Sequence, residues 1–502
     1  MSSPIQLARL PKDLRLPEHR GLYYGGAWHE AKDGGSIELH SPGTGESLGS
    51  VAQAGASDVD AAVTAAQAGF KVWRRVKPTE RAAVLRRAAE LLRAHSRELA
   101  FIDAASTGNP VSEMMSDASV AAMGMDFYAG LVTEMKGSSV PMGPDLVNFS
   151  IRQPFGVVGK IIPFNHPIMF CGYRAAAPLA AGNTVVIKPP DQAPLSALRF
   201  AELVGSLFPA GVVNVLAGSR VAGAAMASHP GVGKIALIGS VASGRAVMKA
   251  AADTIKPVML ELGGKNALIA FPDSKPEEVA EGLVKAMNFT WCGQSCGSMS
   301  RAFIHSDIYD EVLVHLKRIC EALRPGNPTD MDTKMGAIIS EAQFDKIMRY
   351  IEIGKAEGGR LLCGGERPGD PSLAKGFYIL PTVFVDMKPT MTIAREEIFG
   401  PVTSVFRWSD EQQMIEDVNS VEYGLTCSIW TRDLDRAHET AANVEAGFVW
   451  VNTASSHFPG VSFGGFKQSG IGREEGIEEL FSYTQEKSIT IALRRTQDGQ
   501  AS

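Results

Sequence analysis

From residue 156 onward this chain of 502 residues breaks into short apolar runs, rich in β-branched residues and bounded by Gly, Pro or Asn. A first series lies at 157–163, 184–187, 212–216, 234–238, 258–260 and 267–271, and a second at 301–305, 378–385, 401–408, 425–431 and 448–452. Helical patterns such as 307–323 and 341–357 separate most of the runs. Strands that are apolar throughout are buried on both faces, and strand–helix repetition places them in parallel sheets. The expected fold class is therefore α/β, with two α/β units in series. Two amphipathic helices are expected before them. One is capped at Ser57, with Asp60 three residues on and Val59, Val63, Ala66, Phe70 and Trp73 on one face; the other is capped at Thr79 and runs to Gly108. The stretches 147–153 and 483–493 instead alternate polar with apolar residues, and such strands are free to pair with another subunit.

Charge and composition exclude several function classes. Lys and Arg number 49 against 55 Asp and Glu, a net charge of −6, whereas a general nucleic-acid binder is clearly basic. With 45% hydrophobic residues the chain can build a large core, which excludes global disorder. No run approaches the ~18 apolar residues of a membrane span; the longest candidate, 168–187, is broken by Arg174, Pro178, Gly182 and Asn183. The charged N-terminus lacks the apolar core of an export signal. Six scattered cysteines are too few for a disulfide scaffold. Cys292 and Cys296 have no His/Cys cluster beside them to complete a zinc site. These features predict a cytoplasmic location and no metal, membrane or nucleic-acid partner.

A few residues have the chemistry of a reaction site. Cys296, in Phe289-Thr-Trp-Cys-Gly-Gln-Ser-Cys296, is flanked by small residues that let a substrate approach; it suits a nucleophile, or equally a small buried hydrophobe. Glu261 follows the run 258–260 in Glu-Leu-Gly-Gly-Lys265, as a buried base with a raised pKa or as a solvated turn residue. Asn165, after the run 157–163, can donate to an oxyanion or simply close a turn. Gly239-Ser-Val-Ala-Ser-Gly244 opens a helix after a strand, where free N–H groups suit a phosphate. Lys188 ends another strand and can reach a ribose.

Taken together, Asn165, Lys188, Gly239, Gly244, Glu261, Cys296, Glu397-Ile-Phe399-Gly-Pro and Asn452 follow the order and approximate spacing of the aldehyde dehydrogenase superfamily. The runs Glu261-Leu-Gly-Gly-Lys265 and Phe289-x-x-x-Gly-Gln-x-Cys296 resemble its two signatures, and Phe463–Arg473 resembles its C-terminal motif. The likeness extends from about residue 22 to 491. It implies a Rossmann-like cofactor domain (1–133 and 152–263), a catalytic domain (264–466) and a small bridging β-element for oligomerisation (134–151 and 483–497), in a homodimer or homotetramer. It implies that Cys296 is the nucleophile, Glu261 the general base, Asn165 with the Cys296 N–H the oxyanion hole, and Glu474 a proton-relay group. For the cofactor it implies Lys188 on the adenosine ribose, Gly239, Ser240 and Gly244 at the diphosphate, Glu397 on the nicotinamide ribose and Phe399 beside the nicotinamide. Asp191 stands where NAD-preferring relatives often have Glu. A carboxylate there repels a 2′-phosphate, so NAD is expected, with NADP the alternative.

By the same resemblance His166, Phe170, Tyr173, Thr290, Trp291, Ser295, His457 and Phe463 line the aldehyde tunnel. That set is aromatic and uncharged apart from histidine. It disfavours small dicarboxylic semialdehydes, which need an Arg clamp, although Arg174 stands nearby. An aromatic or medium aliphatic aldehyde is expected; a quaternary ammonium aldehyde over aromatic faces also fits. The alternatives are a CoA-acylating dehydrogenase, disfavoured because such relatives typically lack the base at Glu261, and a non-catalytic protein of the same fold.

Overall fold

The computed structural model describes residues 11, 16–32 and 35–493; the parts of the expected cofactor domain and bridging element at 1–10, 12–15, 33–34 and 494–497 lie outside the described residues. Five parallel strands, ordered Val213–Val215, Thr184–Lys188, Val157–Ile161, Lys234–Gly239 and Val258–Leu262, form the centre of an eight-stranded sheet. Their side chains are almost all buried, as continuous apolar runs require when helices cover both faces. A hairpin of Leu22–Tyr24 and Ala27–His29 closes one edge, and the short strand Gly470–Ile471 closes the other, antiparallel to Val258–Leu262. Gly470 has φ of +137°, and a Cβ there would run into the Leu260 carbonyl, so this edge strand can approach only as glycine.

The second sheet has seven strands, ordered Arg360–Cys363, Thr382–Val385, Val402–Trp408, Arg301–His305, Ala267–Ala270, Thr426–Trp430 and Phe448–Val451, all parallel except the first. The run at 267–271, read as the end of the first series, is in fact central to this second sheet. With Gly470–Ile471 occupying the free edge beside Val258–Leu262, the chain leaves through Gly263 and Gly264 and enters the other layer.

Three helix and strand expectations change. The first helix, Ala56–Trp73, begins one residue before Ser57: Gly55 takes the cap position and its N–H donates to Asp58 Oδ2 at 3.0 Å. The helix expected from Thr79 to Gly108 is two, Pro78–Ala94 and Ser96–Thr107, parted at His95; Pro78 opens the first, with its missing N–H costing nothing there. The alternating stretches pair within the chain, Thr484–Ala492 running antiparallel to Leu146–Pro154 over nine residue pairs, with Ser139–Pro141 on the far side. Among the described residues no helix is long and apolar enough to cross a membrane.

Candidate active site

Three chain segments converge where the two large sheets meet. Strand Val157–Ile161 ends in Pro163-Phe-Asn165, and His166 then caps helix Pro167–Ala181, whose first-turn proline presets the helical φ. Asn109 Nδ2 donates to the Asn165 carbonyl at 2.7 Å, which holds this turn; the buried Asn165 Oδ1 has no partner among the described residues. Glu261 sits inside strand Val258–Leu262 rather than after it, opposite Ile238 on one side and Gly470 on the other. Cys296 is carried by a loop that leaves the turn Phe289–Trp291 with Asn288, Cys292 and Gly293 all left-handed. Asn266 Nδ2 holds the loop by donating to the carbonyls of Cys296 (2.6 Å) and Ser298 (3.0 Å), while its Oδ1 accepts from the Thr426 N–H at 3.1 Å.

Cys296 and Glu261 line the same cavity wall, close enough for their side chains to act on each other. Burial, reinforced by the Glu474 carboxylate, pushes Glu261 up to about 8; the neighbouring Cys296 and Arg174 offset only part of this. The Cys296 thiol is likewise held well above its ordinary value, first by burial and then by Glu261. The resting pair is thus a protonated thiol against a carboxyl that titrates near neutrality, which suits a proton acceptor at physiological pH. Glu474 is also buried and raised, chiefly by desolvation. It ion-pairs with Arg174 Nη2 at 2.9 Å, and the same guanidinium reaches Glu475 at 3.2 Å and Glu479 at 3.6 Å.

Cys296, Glu261 and Asn165 line one cavity of about 290 Å³. Of the eight residues expected along a substrate tunnel, His166, Phe170, Tyr173, Trp291, Ser295, His457 and Phe463 line it. Thr290 does not: it lies within the turn that precedes the loop, and its carbonyl accepts from the Gly336 N–H at 3.3 Å. Glu474 stands behind the wall, and its neighbour Glu475 is at the surface of the cavity instead.

The residues expected to hold a cofactor gather on the carboxyl ends of the first sheet and the facing loop. Lys188 ends its strand, nearly buried, 3.6 Å from Asp191, and burial lowers its pKa. Gly239 ends the next strand but one, beyond Val157–Ile161, and Ser240 caps helix Val241–Ala252 by accepting from the Ser243 N–H at 3.2 Å. A Cβ at Gly244 would stand 2.7 Å from Leu262, so glycine lets this helix sit close on the strand that carries Glu261. Glu397 accepts from the Gly264 N–H at 3.0 Å, and burial raises its pKa. Phe399 meets Phe164 edge to face at 5.6 Å. Asn452 turns elsewhere, exchanging hydrogen bonds with the Thr431 backbone at 3.1 and 2.8 Å.

The profile described as the Aldehyde dehydrogenase family matches residues 28–489. The chain belongs to the aldehyde dehydrogenase family. As such it is an oxidoreductase acting on aldehydes. It is 48% identical over 492 residues to aldehyde dehydrogenase tropH of Talaromyces stipitatus, covering 96% of this chain and 95% of that one. Among solved structures, a putative aldehyde dehydrogenase from Burkholderia cenocepacia superposes with a TM-score of 0.92 at 39% identity, covering 94% and 97% of the two chains. PnpE from Pseudomonas sp. WBC-3 superposes with a TM-score of 0.93 at 38% identity, covering 96% and 99%, and has also been solved with nicotinamide adenine dinucleotide.

Residues of this aldehyde dehydrogenase that sequence reasoning passed over include Asp117, bonded to His166, and Glu475, which accepts from His457 Nδ1 at 3.0 Å. Asp117 belongs to no motif, and only its position on helix Asp117–Gly130 opposite His166 reveals it. Glu475 adjoins the C-terminal motif, so the run Arg473-Glu-Glu475 held a signal.

Proposed function

We propose that this enzyme oxidises an aldehyde to a carboxylic acid with NAD, through a thiohemiacetal and then a thioester on Cys296. The observation that carries the reading is that a thiol, a carboxyl titrating near neutrality and the Asn165 side-chain amide line one cavity. The cofactor-side residues fit a dinucleotide. Lys188 and Asp191 suit a ribose without a 2′-phosphate, and the start of the twelve-residue helix after Ser240 suits a diphosphate. At Gly263 a Cβ would occupy the space of the Glu397 carboxyl, so glycine keeps that group poised for the nicotinamide ribose, with Phe399 beside the ring. A nicotinamide held there supplies the hydride acceptor.

The chain's own residues do the rest. Cys296 Sγ bonds to the aldehyde carbon as its proton leaves through Glu261. The Asn165 amide and the Cys296 N–H stabilise the oxyanion. When that oxyanion collapses and expels hydride, a thioester remains on Cys296. Glu261 then takes a proton from the water that attacks the thioester and Glu474 passes it outward; the departing thiolate takes the new acid's own proton, so the product leaves as its carboxylate with the thiol restored. The aromatic cavity suits an aromatic or medium aliphatic aldehyde. In the same reading residues 1–133 and 152–263 hold the cofactor, 264–466 supply the nucleophile, and 134–151 with 483–497 join subunits of a homodimer or homotetramer in the cytoplasm.

The test mixes purified enzyme with a panel of aldehydes and NAD or NADP, with and without CoA, and follows the absorbance of reduced cofactor. Turnover with NAD without CoA, abolished by Cys296→Ala, is expected. Dependence on CoA would replace the hydrolytic reading with the acylating one, and no reduction across the panel would leave a binding protein.

A further inference from the structure

The His166 ring is almost wholly buried, 4% exposed, in the wall of the cavity that holds Cys296. Its Nδ1 bonds Asp117 Oδ2 at 2.9 Å, and its Nε2 has no partner among the described residues. Trp291 stands edge-on to the ring at 4.5 Å and is itself fixed by Nε1 donating to Glu113 Oε2 at 3.0 Å. Burial works against the imidazolium, but Asp117 in contact, with Asp103 and Glu113 behind it, raises the His166 pKa. Asp117 thus engages Nδ1, and the ring is held with its Nε2 free, beside Trp291 and Phe170 in the cavity wall. An imidazole nitrogen that no protein group engages, on a ring lining the cavity, is matched by a ligand hydroxyl, which can donate to it or accept from it.

We propose that the cavity selects aromatic aldehydes bearing a ring hydroxyl, and that His166 is the residue that receives that oxygen. This rests on reading the cavity as the aldehyde site. A carboxylate is the poorer tenant because Asp117, Glu261 and Glu475 line the same walls, and Arg174, the guanidinium among them, already faces three glutamates. A neutral hydroxyl pairs with Nε2 as donor or as acceptor and brings no charge.

The experiment compares kcat/KM, with NAD and the full-length enzyme, for benzaldehyde, the three hydroxybenzaldehydes, their methyl counterparts and the carboxybenzaldehydes. At least one hydroxy isomer should exceed its methyl counterpart by about tenfold, as expected of one hydrogen bond made inside a closed cavity. That ratio should fall to near one in His166→Phe and survive in part in His166→Gln, which keeps an N–H donor. Ratios near one for every isomer in the wild type overturn the proposal without recourse to any variant. So does an undiminished ratio in folded His166→Phe, or a carboxy isomer that outruns the hydroxy ones. If the wild type turns over no aldehyde at all, the aldehyde-site reading itself falls, and this proposal with it.

Discussion

Replacing Glu261 by glutamine keeps the shape of the side chain and removes its ability to take a proton. With the carboxyl at about 8, roughly one-tenth of it is ionised at pH 7 and roughly nine-tenths at pH 9, so turnover limited by thioester hydrolysis should climb about tenfold across that interval. In Glu261→Gln the climb disappears, and the steady rate falls by about 10²–10⁴-fold, the usual worth of a positioned base. Thioester formation persists, because a thiol freed of the neighbouring charge can ionise to solvent, so stopped-flow mixing should show a burst of reduced cofactor matching the enzyme concentration before the slow phase. A second effect has the opposite sense. Glu261 is, after burial, what holds the Cys296 thiol up; removing its charge makes the thiol more acidic and moves the pH dependence of the burst rate to lower pH. Full steady turnover in the variant, or a limb near pH 8 that survives the substitution, would show that another group accepts the proton from water.

Three further outcomes follow from the same geometry. Asn165→Ala, which removes an oxyanion donor, should lower kcat by ~10²–10³-fold in steady-state assays while thermal unfolding stays near that of the wild type. Arg174→Met removes the guanidinium that Glu474, Glu475 and Glu479 share, leaving Lys160 and His457 to face them; it should cost about 3–5 kcal/mol in denaturant unfolding. Because Arg174 also lowers the Glu261 pKa, its loss should shift the alkaline limb of kcat to higher pH. Gly470→Ala places a Cβ against the Leu260 carbonyl at φ of +137°; at least about 1–3 kcal/mol of strain should appear as a lowered Tm, with a loss of activity beyond that explained by unfolding.

The fold class and the parallel strands of the two large sheets were legible because continuous β-branched runs bounded by Gly and Pro have few other uses, whereas antiparallel edge strands such as Leu22–Tyr24, Ala27–His29, Arg360–Cys363 and Gly470–Ile471 carry no such run. What periodicity cannot carry is which sheet a strand joins: the run at 267–271 looks like the sixth member of the first series, and only the edge strand at Gly470 sends it across. The alternation at 147–153 and 483–493 announced a half-exposed sheet but not its pairing, since alternation specifies a face and not a neighbour. The helix expected through Gly108 breaks at His95 with no Gly or Pro to mark the point. At the site, Cys296, Glu261 and Asn165 were visible because short motifs surround them. Thr290 was misplaced because it adjoins a motif residue in sequence while its side chain stands clear of the cavity. The ring of carboxylates on Arg174 was invisible, because Glu474, Glu475 and Glu479 lie some three hundred residues downstream.

The strand that seals the sheet beside Glu261 has a bearing on synthesis. Ser469 Oγ donates to the Gly263 carbonyl across 206 residues, and Gly470 lies directly opposite Glu261. A nascent chain still holding these residues in the ribosome has already released its reactive sulfur, yet the acid beside it stands at an open, wet sheet edge. The sheet edge beside Glu261 is closed only once residues 469–471 have been made and have docked.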